Sequence, residues 1–238
     1  MQAVSPCVMC PHRDLGFCGT LLDIRFEQSL SHQGGNWQHH RLVPAGKQIG
    51  ARNQVSEDVF VLCGGWGFRF LQLPDGRRQI LNFLLPGDLF SVTSVFEQRF
   101  RFSVKALTEA QISAMRREEV QSRLAANPEI LTALATSCVA ETEAADEMQT
   151  ALGQYSAEER IAYLLLHLMR RIAARSVIRD QRYPFPLRQQ HIADAVGLTP
   201  VHVSRVLSLF RDRGVVEVSD GTLQVRNLAE LERIGSLH

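Results

Sequence analysis

Three cysteines crowd the start of the chain, Cys7, Cys10 and Cys18, at a spacing that suits metal chemistry. Two cysteines two residues apart can close on one metal ion or cluster, and a third in the same loop leaves one ligand to come from elsewhere. The plainer reading is a set of unliganded thiols, because no complete four-ligand set stands in that stretch. His12, beside Arg13, reads as a surface histidine rather than a ligand. A second group of chemically equipped residues lies far downstream, in LRQQHIADAVGLTPVHVSRVLSLF from Leu187 to Phe210. Arg188 and Gln190 can hold a phosphate backbone, Thr199 and His202 can contact a base or a phosphate, and Pro200, Val201, Ser204 and Arg205 stand in the same stretch. Arg205 has the fork that fits guanine N7 and O6, Ser204 suits a base or a phosphate, and Val201 can touch only a thymine methyl.

Two helices joined by a tight turn position these groups. Ile192, Ala195 and Val196 repeat at helical spacing before Gly197, and Val203, Val206, Leu207 and Phe210 repeat after it. Gly197 supplies the left-handed residue that ends the first helix, small Ala193 permits close approach, and Thr199 with Pro200 begins the second. That is a helix-turn-helix, with Pro200 to Ser208 as the helix that enters a DNA major groove. Arg188 stands at the N-cap of the first helix, where a small hydroxyl residue is expected; this costs about 1 kcal/mol. Strands at Val215 to Val218 and Leu223 to Val225, joined through Asp220-Gly221, make the module winged.

Charge supports a local contact rather than a general coat. The net charge of the 238-residue chain is only +1, yet Ser156 to Arg213 holds ten Arg against five Asp or Glu. Glu129 to Glu147 carries five acids and no base. The segregation gives the downstream segment the basic footprint of a nucleic-acid binder. The longest apolar run, Ile161 to Met169, is too short to span a bilayer, and the N-terminus lacks the basic-then-apolar pattern of an export signal. A cytoplasmic protein follows, in which an odd number of cysteines points to metal or redox chemistry before disulfides.

The chain divides into an arm (1–20), a β-roll (21–128), a long helix (129–155) and the DNA-binding module (156–238). Strand-like runs at Arg41–Val43, Val59–Leu62, Gly67–Leu71, Gln79–Phe83 and Phe102–Leu107 alternate with turn residues, which predicts an antiparallel barrel or roll. From Asn127-Pro128 a helix runs to Tyr155. Leu131, Leu134, Cys138, Glu141, Ala145, Met148, Leu152 and Tyr155 follow alternating steps of three and four, a seam suited to a second copy of itself. Glu141 would there confront its own mate; the other reading packs this face on the roll. Arg179 to Pro186 reads as a linker. No nucleophile elbow, phosphate loop or zinc-protease helix occurs, and Glu118-Glu119 and Glu158-Glu159 are adjacent acids that do not converge, so the chain is not read as an enzyme.

A roll, a dimerising helix and a winged helix-turn-helix in this order, with LPDGRRQILNFLLPGDLF (Leu73 to Phe90), NPEIL (Asn127 to Leu131), SAEERIAYLLLHL (Ser156 to Leu168) and GLTPVHVSRVL (Gly197 to Leu207), resemble the CRP/FNR family of bacterial transcription regulators. The resemblance implies an α+β fold with a cupin-like jelly roll, a homodimer on palindromic double-stranded DNA, and RNA polymerase as partner if the regulator activates. The cyclic-AMP branch grips its ligand with a Gly-Glu-Leu, an Arg-Ser pair and a Thr-Ser pair. Here those places read Leu89-Phe90-Ser91-Val92-Thr93-Ser94, Phe100-Arg101 and Ala145-Asp146, so a buried phosphodiester would lack its arginine and cyclic AMP is not expected. The FNR and FixK branch is nearer. Its arm cysteines, with one more in the roll, imply a [4Fe–4S] cluster on Cys7, Cys10, Cys18 and a fourth ligand that should fall near Ile112-Ser113. No cysteine is there, and Cys63 is the substitute candidate. The response implied is to oxygen, nitric oxide or redox state; the alternative is another effector, a small molecule or heme, or none. The family's usual glutamate for cytosine falls on Val201, which predicts a half-site that departs from the common TGA core at that base.

Overall fold

The computed structural model describes residues 10–11, 16–21 and 38–236. Cys7 and His12 lie outside the described residues. Two compact units are formed, Met1–Arg69 with Phe83–Glu141, and Phe70–Asn82 with Thr142–His238.

In the first unit, α1 (Gly16–Leu21) precedes β1 (Gln38–Val43), β2 (Gln48–Gly50), β3 (Asp58–Gly64), β4 (Gly67–Gln72), β5 (Arg78–Leu84), β6 (Ser103–Ala106) and β7 (Ala110–Arg116). They form a three-stranded sheet in the order β1-β7-β3 and a four-stranded one in the order β2-β6-β4-β5. The pairs β1–β7, β3–β7 and β2–β6 are antiparallel, giving the expected roll. The sequence reading missed β2 and β7. β2 has three residues, and β7 is central in its sheet and buried almost throughout, so it shows no clean alternation.

Alternation along β3 builds two layers. Val59 and Val61 pack with Met115 of β7 against Phe17 and Leu21 of α1, Val120 and Leu124 of α2 (Arg117–Ala126), and Ile130 and Leu134 of α3 (Pro128–Gln154). On the opposite face Phe60 stacks on Phe90 at 5.6 Å and on Phe100 at 5.8 Å. Gly65 makes the turn into β4 at φ +76°, where a Cβ would lie 2.0 Å from the Glu109 carbonyl oxygen. α3 begins as the sequence requires: Asn127 Oδ1 accepts from the Glu129 amide at 2.8 Å, with Pro128 at the first helical position.

The second unit holds the turn between β4 and β5 and the C-terminal module. Its first helix, α4 (Ala157–Ala173), opens on a capping box. The Glu159 amide donates to Ser156 Oγ, and the Ser156 amide donates to Glu159 Oε2 at 2.7 Å. Ile161, Leu164, Leu165, Leu168 and Ile172 of α4 are buried. β8 (Arg182–Pro184), α5 (Gln189–Val196), α6 (Pro200–Asp212), β9 (Val216–Ser219), β10 (Thr222–Val225) and α7 (Leu228–Gly235) follow. β8 lies in the stretch read as linker. It is an edge strand in the order β8-β10-β9, a place where its Pro184 is tolerated. Asp220 and Gly221 both take positive φ, the two-residue turn the hairpin signal predicts. Among the described residues no helix is long and apolar enough to cross a membrane.

Candidate nucleic-acid interface

The turn between α5 and α6 is built by local chemistry. Gly197, at φ +67°, ends α5, and both its amide and that of Leu198 donate to the Ala193 carbonyl. Thr199 Oγ1 then accepts from the His202 amide at 3.2 Å, and Pro200 leads α6 at the position where the N–H that proline lacks would have no partner in the helix. Val203, Val206 and Phe210 are buried, which fixes the rotation of α6 and turns Val201, His202 and Arg205 outward. At the start of α5, Arg188 makes no side-chain cap. The missing hydroxyl is partly replaced from the other side, because His191 Nδ1 accepts from the Arg188 amide at 3.1 Å.

An open groove of about 570 Å³ runs along the exposed face of α6, lined by Gln189, Pro200, Val201, Ser204, Arg205, Ser208, Leu209 and Asp212. It gathers Pro200, Val201, Ser204 and Arg205 from the sequence-derived set. Thr199 and His202 do not line it: the Thr199 hydroxyl is committed to the cap, and His202 is exposed beside the groove. Gln190 is exposed but its amide donates to Asp194 Oδ1 at 2.6 Å. Gln189 and Ser208 were missed. The signal for Ser208 was present, since Val201, Ser204, Arg205 and Ser208 are i, i+3, i+4 and i+7 on one face; α6 itself runs four residues past its predicted end. Arg205 is exposed and unburdened by any ion pair among those described, so its five donors are available to a ligand. Val201, 61% exposed, is an apolar contact waiting on the same face.

The helix α3 presents its seam differently from the sequence reading. Leu134 is buried in the core of its own roll, and Glu141 pairs with Arg69 of its own chain, so neither stands on the outward face. Leu131, Cys138, Val139 and Ala145 do. The cause is that α3 serves two masters, and the steps of three and four that looked like one seam alternate between roll and surface. Further along, Met148, Leu152 and Tyr155 are half-buried.

Around the cysteines, Cys18 sits half-buried on α1 against the roll core, and Cys10 is half-buried. Cys63 occupies the irregularity between Leu62 and Gly64 in the β3–β7 register. Among the described residues no three His, Cys, Asp or Glu side chains gather, so Cys10, Cys18 and Cys63 make no group. Ser113, where a fourth ligand was sought, is fully buried and hydrogen-bonded to Gln38 Nε2 at 2.8 Å.

Comparison with known proteins agrees with this architecture. Residues 159–234 match the model of the Crp-like helix-turn-helix domain, and residues 40–127 that of the cyclic nucleotide-binding domain. The nitrogen fixation regulation protein FixK of Azorhizobium caulinodans is 33% identical over 190 residues, 79% of this chain and 76% of that protein. The transcriptional activator protein FnrL of Cereibacter sphaeroides is 33% identical over 183 residues, 75% of this chain and 73% of that one. The solved structure of FixK2 from Bradyrhizobium japonicum superposes with a TM-score of 0.76 at 24% identity, covering 84% of this chain and 98% of the other.

Proposed function

This chain belongs to the CRP/FNR family of transcription regulators, DNA-binding proteins and not enzymes; from that premise we propose that it acts in the cytoplasm as a homodimer that reads a palindromic operator through α6. The observation that carries the reading is the groove of α6, where Val201, Ser204 and Arg205 share one exposed face. Two such helices about one DNA turn apart meet successive major grooves. Arg205 pairs with a guanine and Val201 packs on a thymine methyl; Gln189 and Ser208 extend the contact, and Arg188 lies toward the phosphates. The outward face of α3, Leu131, Cys138, Val139 and Ala145, supports the pairing of two copies.

The effector reading follows the same residues. Cyclic AMP does not fit the roll. The segments that would grip its ribose and phosphate carry Phe90 and Phe100, both stacked on Phe60, and Val92 and Val95 are buried. The space left beside Ser91, Thr93, Arg101 and Arg117 is about 10 Å³, room for one water. A small-molecule pocket needs about 300 Å³ or more. The response to oxygen, nitric oxide or redox state is assigned to Cys7, Cys10 and Cys18 on their own chemistry. Their spacing supports it, and so does the position of Cys18 in the packing of α1 on the roll, where a change at sulfur bears on a buried contact. The described residues do not assemble four ligands for an iron–sulfur cluster, with Ser113 standing where the fourth would come, and no step here runs through one.

Selection of operators from random duplex DNA tests the reading. The expected result is a palindrome with guanine facing Arg205, and an Arg205→Ala variant that loses preference at that base. Selection that returns no sequence, or no symmetry, overturns it.

A further inference from the structure

Strand β5 is joined to the DNA-binding module by three side chains, those of Arg78, Gln79 and Asn82. Arg78 Nε and Nη2 both donate to Asp194 Oδ2, at 2.8 and 2.5 Å, with the two side chains only 22% and 11% exposed. Gln79 Nε2 donates to the Ala195 carbonyl at 2.9 Å. Asn82 Oδ1 accepts from Arg171 Nη1 of α4 at 3.0 Å. The Arg78 guanidinium also lies over the Phe70 ring, 5.6 Å from its centroid, which fixes it from behind.

These contacts repair specific defects of α5. The last four carbonyls of a helix have no partner inside it, and the Ala195 carbonyl is one of them. Asp194 puts a negative charge in the last turn, where the helix dipole is already negative and a cation is wanted. Gln79 satisfies the carbonyl, and Arg78 places its cation against the carboxylate. The other carboxylate oxygen of Asp194 holds Gln190, which faces outward near the start of α5. None of Arg78, Gln79 or Asp194 lines the groove of α6, so the clasp leaves the reading face open.

We propose that Arg78 and Gln79 are positioning residues for DNA recognition, holding α5, and through it Gln190 and α6, in the arrangement that binds the operator. They touch no DNA themselves. Loss of the clasp dilutes the competent arrangement, and apparent affinity falls by the fraction lost. The inference rests on the operator-reading function above and adds to it the hairpin that carries it out.

The experiment measures binding of the full-length protein to the operator selected by the wild type, at a temperature where circular dichroism shows each variant fully folded. Arg78→Ala is expected to bind about tenfold more weakly, the size of losing a charge-assisted hydrogen bond. Its ranking of base variants should be unchanged. Asp194→Asn should weaken binding comparably, and the double variant should be no weaker than either single one, because both break one link. Gln79→Ala gives a second, uncharged arm with a smaller loss. Amide exchange should quicken at residues 192–198 in Arg78→Ala and not in β3 or β7. Arg205→Ala is the control: its loss of base preference shows that the reading function holds independently of the clasp. Operator affinity within twofold of wild type for Arg78→Ala, additive losses in the double variant, or tighter binding on breaking the clasp would each overturn the proposal. If Arg205→Ala is also without effect, the operator-reading function itself fails.

Discussion

Arg69 of β4 and Glu141 of α3 form an ion pair within one protomer. Arg69 is almost fully buried, lies 5.0 Å from the Phe102 ring centroid and donates to the Phe90 carbonyl at 3.3 Å; its Nε has no partner. A cation so placed needs its carboxylate, because an uncompensated buried charge is far costlier than a pair. Glu141 is therefore a tie between sheet and helix, where the seam pattern alone made it a source of repulsion between copies.

Breaking that tie should cost stability more than removing it whole. Glu141→Ala is expected to lose about 2–3 kcal/mol, less than for a fully buried pair because Glu141 is a third exposed. Arg69→Met with Glu141→Leu should recover most of the loss. Urea unfolding midpoints of the three proteins check this; equal loss in the single and double variants would show that the pairing is not what matters.

Base readout should respond to single changes on α6. Arg205→Ala is expected to cost about 1–3 kcal/mol and relax the guanine position. Val201→Glu introduces an acceptor for cytosine N4 and should shift the preferred base from thymine toward cytosine at the position Val201 faces. Competition binding with operator variants reads both.

Cyclic AMP should leave the protein untouched. At 1 mM, a concentration chosen to saturate any site of micromolar Kd, a ligand that bound would raise stability by about 4 kcal/mol, and none of that shift is expected. Thermal unfolding with and without the nucleotide settles it. Gly50→Ala probes the same filled interior, since its Cβ would lie 2.8 Å from the Phe100 ring. A loss of about 1–3 kcal/mol is expected.

The arm cysteines should confer a thiol response. Operator binding is expected to fall on mild oxidation, recover with dithiothreitol, and lose this dependence in Cys18→Ser. Iron and sulfide are measured in protein purified without oxygen, since a thiol response needs neither. Stoichiometric amounts of both, with a broad visible absorbance, would restore the four-ligand cluster.

His40 supplies a pH dependence of stability. Burial, and then the charge of neighbouring His39, hold its pKa below the ordinary 6.5. In the window just below 6.5 the unfolded chain binds the proton and the folded chain does not, so stability is full above that value and declines as pH falls through the lowered folded value. Unfolding free energy between pH 7 and 5 should fall less steeply in His40→Gln.

The sequence alone decided whatever depends on neighbours along the chain. Gly197, Thr199 and Pro200 specify a turn and a cap within a few residues, and Asp220-Gly221 specifies its hairpin, so the reading head was legible. The family's order of modules was legible for the same reason, through motifs that each carry local geometry. Tertiary structure decided what depends on which face meets which neighbour. The period of α3 cannot say whether Leu134 and Glu141 face a roll or a partner, because both bury an apolar stripe at the same spacing; packing on β3 and the charge of Arg69 made the choice. Nothing in the sequence around Asp194 marks it for Arg78, 116 residues away along the chain. Such long-range pairings carry no periodicity, and chain entropy hides them until the core has formed.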